Sequence, residues 1–323
     1  MMQIDKKDKE ILFHLSLNAR ASLKDISNKT RLSKEVIHYR IKNLEKRGVI
    51  EGYYAVIDPY KIGMTFYRVY MKTEMDSSTE KRFLDFLKKH PKVTWVVEMN
   101  GDLDFLYVVW SKNIIEFEEV YNEINRKFGK YIQKKFFSIM TKVYYLKNKY
   151  LLEKQDRSFQ LTGERITNSK LDDFDFRLIK LLSLEGRLPS TEIARKLKSN
   201  VKTAQRRIKK LVKEKIITCF NIKINHKILG YTQRKVMLNL KDTSKENIEK
   251  IISFIINQKD TIYITIAIGQ YDIEFEMIEK THHDFHNLLK EIKNKFPRMI
   301  KEYFTLIFYD EPKVGQIGEI NKE

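Results

Sequence analysis

Apolar positions along this chain follow two periods that alternate in blocks. In Ser33–Gly48, Ile37, Ile41 and Leu44 fall at i, i+4 and i+7, one helical stripe. Lys34, Glu35, His38, Tyr39 and Lys42 lie off that stripe and have no core to enter. Ser33 suits an N-cap, because its hydroxyl accepts from free amides of the first turn, and Gly48 suits a stop. A shorter amphipathic segment, Leu23–Lys29, precedes it across Thr30-Arg31-Leu32, and Lys6–Asn18 carries the stripe Ile11, Leu12 and Leu15. Three short helices with a tight turn before the third predict a helix-turn-helix headpiece, whose last helix can lie in a DNA major groove. The plain alternative is a solvated helix of any small bundle.

From residue 49 the period shortens. Val49–Asp58 reads as a strand leaving the headpiece, closed by Pro59. Phe66–Lys72, Val93–Met99, Phe105–Trp110 and Ile132–Leu146 read as strands, and Ser78–Lys89 and Ile114–Phe128 as helices. Asn100-Gly101 marks a hairpin between the middle strands. The order βαββαβ predicts a ferredoxin-like domain, an antiparallel sheet with two helices on one face. The other face needs a cover. Tyr67, Val69 and Met71, with Val236, Leu238 and Leu240 further on, are expected to meet there, sheet against sheet.

The pattern then repeats. At an offset of 167 positions Asp5 falls on Asp172, Asp8 on Asp175, Arg20 on Arg187, Arg40 on Arg207, Ile41 on Ile208, Leu44 on Leu211, Ile50 on Ile217 and Gly63 on Gly230. Gly101-Asp102-Leu103-Asp104 returns as Gly269-Gln270-Tyr271-Asp272, one residue further along. The chain is a tandem duplication of a domain-scale unit. The expected fold class is α+β, with two winged or three-helix helix-turn-helix headpieces, each followed by a ferredoxin-like βαββαβ domain. The expected bounds are headpieces at 1–63 and 171–230, effector and dimerisation domains at 64–150 and 231–312, a linker at 151–170 and a frayed tail at 313–323.

Composition narrows the partners. The 323 residues are 42% hydrophobic, enough for real cores, and the net charge of +19 suits a polyanion such as nucleic acid. Cys219 is a single cysteine and no leader is evident, which points to a reducing cytoplasm. The longest apolar run, Ile251–Ile256, is too short to span a bilayer.

Taken in order, Ile4-Asp5 at the start, Asn18-x-Arg20 after the first helix, Arg40-Ile41-Lys42-x-Leu44 in the third and Gly101-x-x-Asp104 in the sheet domain resemble the Lrp/AsnC, or feast/famine, regulators. The second copy matches with Leu171-Asp172, Glu185-x-Arg187, Arg207-Ile208-Lys209-x-Leu211 and Gly269-x-x-Asp272. The resemblance covers nearly the whole chain twice. It implies a transcription factor whose ferredoxin-like domain pairs with a copy of itself and binds a small effector, often an amino acid, near the Gly-x-x-Asp loop. By that implication the effector residues here are Gly101, Asp102, Asp104, Gly269, Tyr271 and Asp272. The chain departs from the family where Arg31 and Lys198 replace a common glycine before the third helix, and where Ser199 stands for Leu32. Most members are single units that dimerise. Here the linker favours an internal pseudo-dimer, with a homo-oligomer of chains as the competing outcome.

The candidate DNA-contacting residues are Ser33, Lys34, Glu35, His38, Tyr39, Arg40 and Lys42 in the first copy. In the second they are Lys202, Thr203, Gln205, Arg206, Arg207, Lys209 and Lys210. Gln205 and His38 face outward, where a base edge can be read; Arg40 and Arg207 suit either packing or phosphate contact. Residues 1–63 hold 13 Lys and Arg against 8 Asp and Glu, and residues 171–230 hold 15 against 6, so the second headpiece is expected to contribute more phosphate attraction. His282 and His286 are spaced for a shared metal but lack further ligands nearby, so a polar helix start is expected, with no metal and no cofactor. Trp95 and Trp110 are expected in the core or sheet interface. Siroheme decarboxylases share this architecture, and their sheet domain is expected to bring His and Arg to the substrate. Glu98–Trp110 and Thr265–Met277 contain neither, so no enzyme is expected. A third reading is an effector-sensing partner of other regulators that no longer touches DNA.

Overall fold

A computed structural model describes residues 2–164 and 169–314. The first headpiece is α1 (Lys6–Leu15), α2 (Leu23–Thr30) and α3 (Lys34–Lys46), followed by β1 (Ile50–Ile57). The first sheet domain is β2 (Thr65–Thr73), α4 (Ser77–Lys89), β3 (Val93–Asn100), β4 (Phe105–Ser111), α5 (Ile114–Phe128) and β5 (Ile132–Leu146). A short strand, β6 (Phe159–Thr162), precedes the second headpiece, α6 (Asp173–Leu184), α7 (Ser190–Lys196), α8 (Val201–Lys213) and β7 (Ile217–Ile224). The second sheet domain is β8 (Thr232–Leu240), α9 (Lys245–Ile256), β9 (Thr261–Gly269), β10 (Ile273–Glu279), α10 (His282–Lys295) and β11 (Ile300–Lys313).

Local chemistry sets most of these bounds. Asp5 caps α1 by accepting from the Asp8 amide, Ser33 caps α3 from Val36, and Ser22 with Asp25 forms a reciprocal capping box on α2. The first helix stops at Leu15, short of the expected Asn18, because Ser16 is extended and Leu17 turns to φ 60°. The expected linker is not all loop. Phe159–Thr162 adds a strand to β5, while residues 165–168, like the tail beyond Val314, lie outside the described residues.

Each sheet domain has the ferredoxin-like strand order, β5-β2-β4-β3 and β11-β8-β10-β9. The two domains then close on one another. The long strands β5 and β11 reach past their own sheets: β5 pairs β2 and then β9, and β11 pairs β8 and then β3. The result is a closed barrel within one chain, with β6 appended and α4, α5, α9 and α10 outside. The register carries a pseudo-twofold: Lys142 faces Ile266, and Asp310 faces Glu98, the same pairing shifted by one repeat. Closure removes the free sheet edges at which two separate chains would otherwise pair.

One expectation was off by a residue. Tyr67, Val69 and Met71 pack with Phe83, Leu87 and Phe117 against α4 and α5, and Val236, Leu238 and Leu240 pack against α9 and α10. The faces turned to each other are the alternate ones, Phe66, Arg68 and Tyr70 opposite Lys235 and Met237. Both faces are buried, so the alternation had no solvent side to mark it, and a slip of one residue exchanges the faces.

The barrel interior is partly ionic. Arg68 holds both oxygens of Glu274 at 2.7 Å, and Tyr70 donates to the same carboxylate at 2.7 Å. Lys235 reaches Glu276 at 2.9 Å and Glu274 at 3.2 Å. Arg68 and Lys235 are repeat equivalents and both are fully buried.

Candidate nucleic-acid interface

The two headpieces are joined by an antiparallel ribbon, β1 against β7, in which Ile50 faces Ile224 and Ile57 faces Ile217. These two pairs exchange under the repeat, so the pseudo-twofold runs through the ribbon. Arginines from each side lock it. Arg20 donates to the carbonyls of Gly186 and Leu188 at 2.9 and 2.8 Å and lies over Phe220. Arg187 returns the contact to the carbonyl of Ala19 and lies over Tyr53. Gly186 has to be glycine for this approach, since a Cβ there would stand 2.7 Å from the Tyr54 backbone. Arg20 and Arg187 served only as repeat markers in the sequence. Their identity at equivalent places, each following a helix end, was the available signal, but its meaning depends on the partner headpiece.

On α3 the residues Lys34, Glu35, His38, Tyr39 and Lys42 are exposed, Tyr39 by 70%. Ser33 is exposed but serves as the cap. On α8, Lys202, Gln205, Arg206 and Lys209 are exposed, with Lys213 beyond them, while Thr203 and Lys210 are half-buried. The structure thus brings nine of these residues onto outward faces of two third helices, and the shared ribbon ties the helices together.

Arg40 and Arg207 are placed differently. Arg40 bonds Asp5 and Asp8, both at 2.8 Å, and Arg207 bonds Asp172 at 2.6 Å and Asp175 at 2.9 Å. They clamp the third helix to the start of the first. The Asp175 side chain is fully buried, and Lys210 approaches it at 3.5 Å. Burial pushes the Asp5 carboxyl up, but the Asp8 amide and Arg40 bring it below the usual carboxylate range. For Asp172 the Asp175 amide and then Arg207 do the same against burial. Both arginines thus serve the packing of their headpieces.

The turns before the third helices hold without the glycine. Arg31 and Lys198 take φ 56° and 52°, a strained choice for a side chain. In the first turn Ser27 Oγ supports it by donating to the Leu32 carbonyl at 2.6 Å, and Leu32 packs on the core. Ser199 supplies no such anchor. Its amide instead reaches Ala194 at 2.9 Å.

The Gly-x-x-Asp loops sit at the seams of the barrel. Asp104 accepts from Lys72 at 2.6 Å and from the Thr73 amide at 2.7 Å, and Asp272 accepts from the Leu240 amide at 2.8 Å. These two effector-site candidates therefore already latch neighbouring strands. Tyr271 is buried, stacked on Phe304 and edge-on to Phe136 of the other unit. Gly101 (φ 134°) and Gly269 (φ 152°) need glycine, and Asp102 is exposed. Among the described residues no group of three or more His, Cys, Asp or Glu is placed to hold a metal ion, and no helix is long and apolar enough to cross a membrane.

Paired helix-turn-helix units whose reading helices face outward from one rigid ribbon define a DNA-binding regulator. Residues 4–51 and 171–218 each match the winged helix-turn-helix DNA-binding family. The HTH-type transcriptional regulator LrpA of Pyrococcus horikoshii is 34% identical over 129 residues, 39% of this chain and 87% of that protein. The chain belongs to the Lrp/AsnC family of transcriptional regulators and carries its unit twice. The proline dehydrogenase transcriptional activator of Rhodobacter capsulatus is 29% identical over 37% of this chain and 79% of its own length. A crystal structure of the siroheme decarboxylase NirDL superposes with a TM-score of 0.62 over 98% of this chain and 94% of its own, at 13% identity, a likeness of fold alone.

Proposed function

We propose that one chain reads an operator with two half-sites, using α3 and α8 as a fixed pair. The reciprocal Arg20 and Arg187 contacts carry this reading, because they hold two exposed helix faces in one geometry. Tyr39, His38 and Gln205 are the candidate base readers, and Lys34, Lys42, Lys202, Arg206 and Lys209 the phosphate contacts. The chain works in the cytoplasm, answers a small effector and performs no chemistry of its own. In support of that last point, the strands 98–110 and 265–277 carry no His or Arg.

Selection of bound sequences from a random duplex pool tests the proposal. A recovered motif with two half-sites about one or more helical turns apart is expected. Tyr39→Ala should blur one half-site and Gln205→Ala the other. Recovery of no preferred sequence, or of a single half-site unaffected by one of the two variants, would remove the paired-reader reading.

A further inference from the structure

The barrel is not solid. A cavity of about 130 Å³ lies at the end beneath the β1–β7 ribbon, with Trp95, Trp110, Tyr145 and Tyr263 in its walls beside Glu276 and Glu311. The charges nearby do not cancel. Arg68 and Lys235 are matched by Glu274 and Glu276. Glu311 is a third acid, and among the described residues its side chain receives only the Trp95 indole N–H, at 2.9 Å. The closest outer cation, Lys223, bonds Glu51 at 3.1 Å and the main-chain carbonyl of Glu311 at 3.3 Å. Burial and then the neighbouring Glu276 push the Glu311 carboxyl up to about 7, against the pull of Lys223. Trp110 is buried and its indole N–H has no partner among the described residues.

The duplication shows that the fold does not demand these acids. At the offset of 168 positions that holds from the Gly101 and Gly269 loops onward, Glu276 corresponds to Val108 and Glu311 to Val143, and both valines line the same cavity. The second copy has gained carboxylates where the first keeps plain packing. An uncompensated acid among aromatic faces is the arrangement that attracts an organic cation, through charge at one end and ring quadrupoles around it.

We propose that this cavity binds a small organic ammonium ion on a short apolar stem, with Glu311 as its counter-ion. The Trp110 indole N–H takes an acceptor on the same molecule. Glu311 also borders an outer polar cleft with His226, Lys227 and Tyr309, which gives a route from solvent. The proposal deepens the regulatory reading and rests on it for its meaning. Tyr54–Ile57 of β1 form part of the wall, so an occupant bears on the ribbon that spaces the two headpieces. The hairpin loops are not part of its lining.

The chain has two tryptophans, and both line the cavity, so its own fluorescence reports occupancy. The full chain, without DNA, is titrated to 10 mM with butylammonium and choline chlorides, and in parallel with n-butanol and sodium butyrate at equal ionic strength. A saturable change with at least one ammonium is expected, at least tenfold weaker with butanol and absent with butyrate. The response should weaken as pH falls below 7, as Glu311 takes up its proton. Glu311→Val, the residue of the first copy, should abolish it while melting at or above the wild-type temperature, and Glu311→Gln serves if that variant fails to fold. No saturable response to either ammonium, an equal response to butanol, or full retention in a folded Glu311 variant would overturn the proposal. Because no DNA is present, failure here is distinct from failure of operator binding.

Discussion

Replacing Lys202, Arg206 and Lys209 with alanine removes three exposed cations from α8. Each phosphate contact releases counterions and contributes about 0.9 to the slope of log affinity against log salt. If all three touch phosphate, the slope falls by about 2.7, and the fourfold span from 50 to 200 mM salt then weakens binding by about 40-fold less than in wild type. The matched set on α3 is Lys34, Lys42 and Lys46. There Lys42 already lies 2.8 Å from Glu45, so its charge is partly used within the chain. The expected fall is nearer about 1.8. Fluorescence anisotropy with one operator duplex over a salt series measures both. Equal slopes in the two triple variants would refute the asymmetry, and an unchanged slope in both would show that these faces do not meet the phosphates.

Four further outcomes follow from the packing. Arg207→Ala leaves the buried Asp175 with only Lys210 at 3.5 Å and should cost roughly 2–4 kcal/mol by thermal unfolding, yet leave the salt slope unchanged; a lower slope would make Arg207 a phosphate contact after all. His226 is half-buried, its ring enclosed beside Tyr150, and is pushed down to about 4, chiefly by that desolvation, so the stability it gives as a neutral ring is lost as pH falls from about 6.5 towards 4. Glu311 works the other way. Raised to about 7, it stabilises below its unfolded value and loses that contribution, up to roughly 3 kcal/mol, as pH rises to 7, so Glu311→Gln should flatten the melting curve in that window. Light scattering at micromolar concentration should give the 38.8 kDa of one chain, and a dimer that resists dilution would place the sheet pairing between chains.

The sequence showed the elements and their order because period, caps and turn residues are local. Ser22, Ser33 and Asp5 act where they stand, and the repeat made each reading twice. It failed where a residue's meaning depends on a distant partner. Arg68 and Lys235 interrupt apolar strands without a partner nearby in sequence, whereas Glu274, more than two hundred residues from Arg68, makes their burial tolerable. The same cause misassigned the inner faces. Arg40 and Arg207 could be named as site residues but not separated from the freely exposed candidates, because the acids that hold them come from another helix.

Fusion of the two units allows an asymmetry that a dimer of identical subunits cannot have. Around a true twofold, every interior charge appears twice. Glu274, Glu276 and Glu311 would then bring three more carboxylates into one barrel, where like charges in low dielectric repel strongly. In the fused chain the equivalents of these residues are Leu106, Val108 and Val143. Two acids are therefore enough to match Arg68 and Lys235, and the third is left over. The headpieces diverge in the same way, since Ser22 has Pro189 as its counterpart and Leu32 has Ser199. Loss of the Ser22–Asp25 capping box costs on the order of 1 kcal/mol, so the second helix-turn-helix relies more on its neighbours. The neighbour available is the first headpiece, through β7 and the Arg20 contact. Duplication has left one copy with the better-capped helix-turn-helix and the other with the stronger charge, and the ribbon holds the two in one fixed geometry.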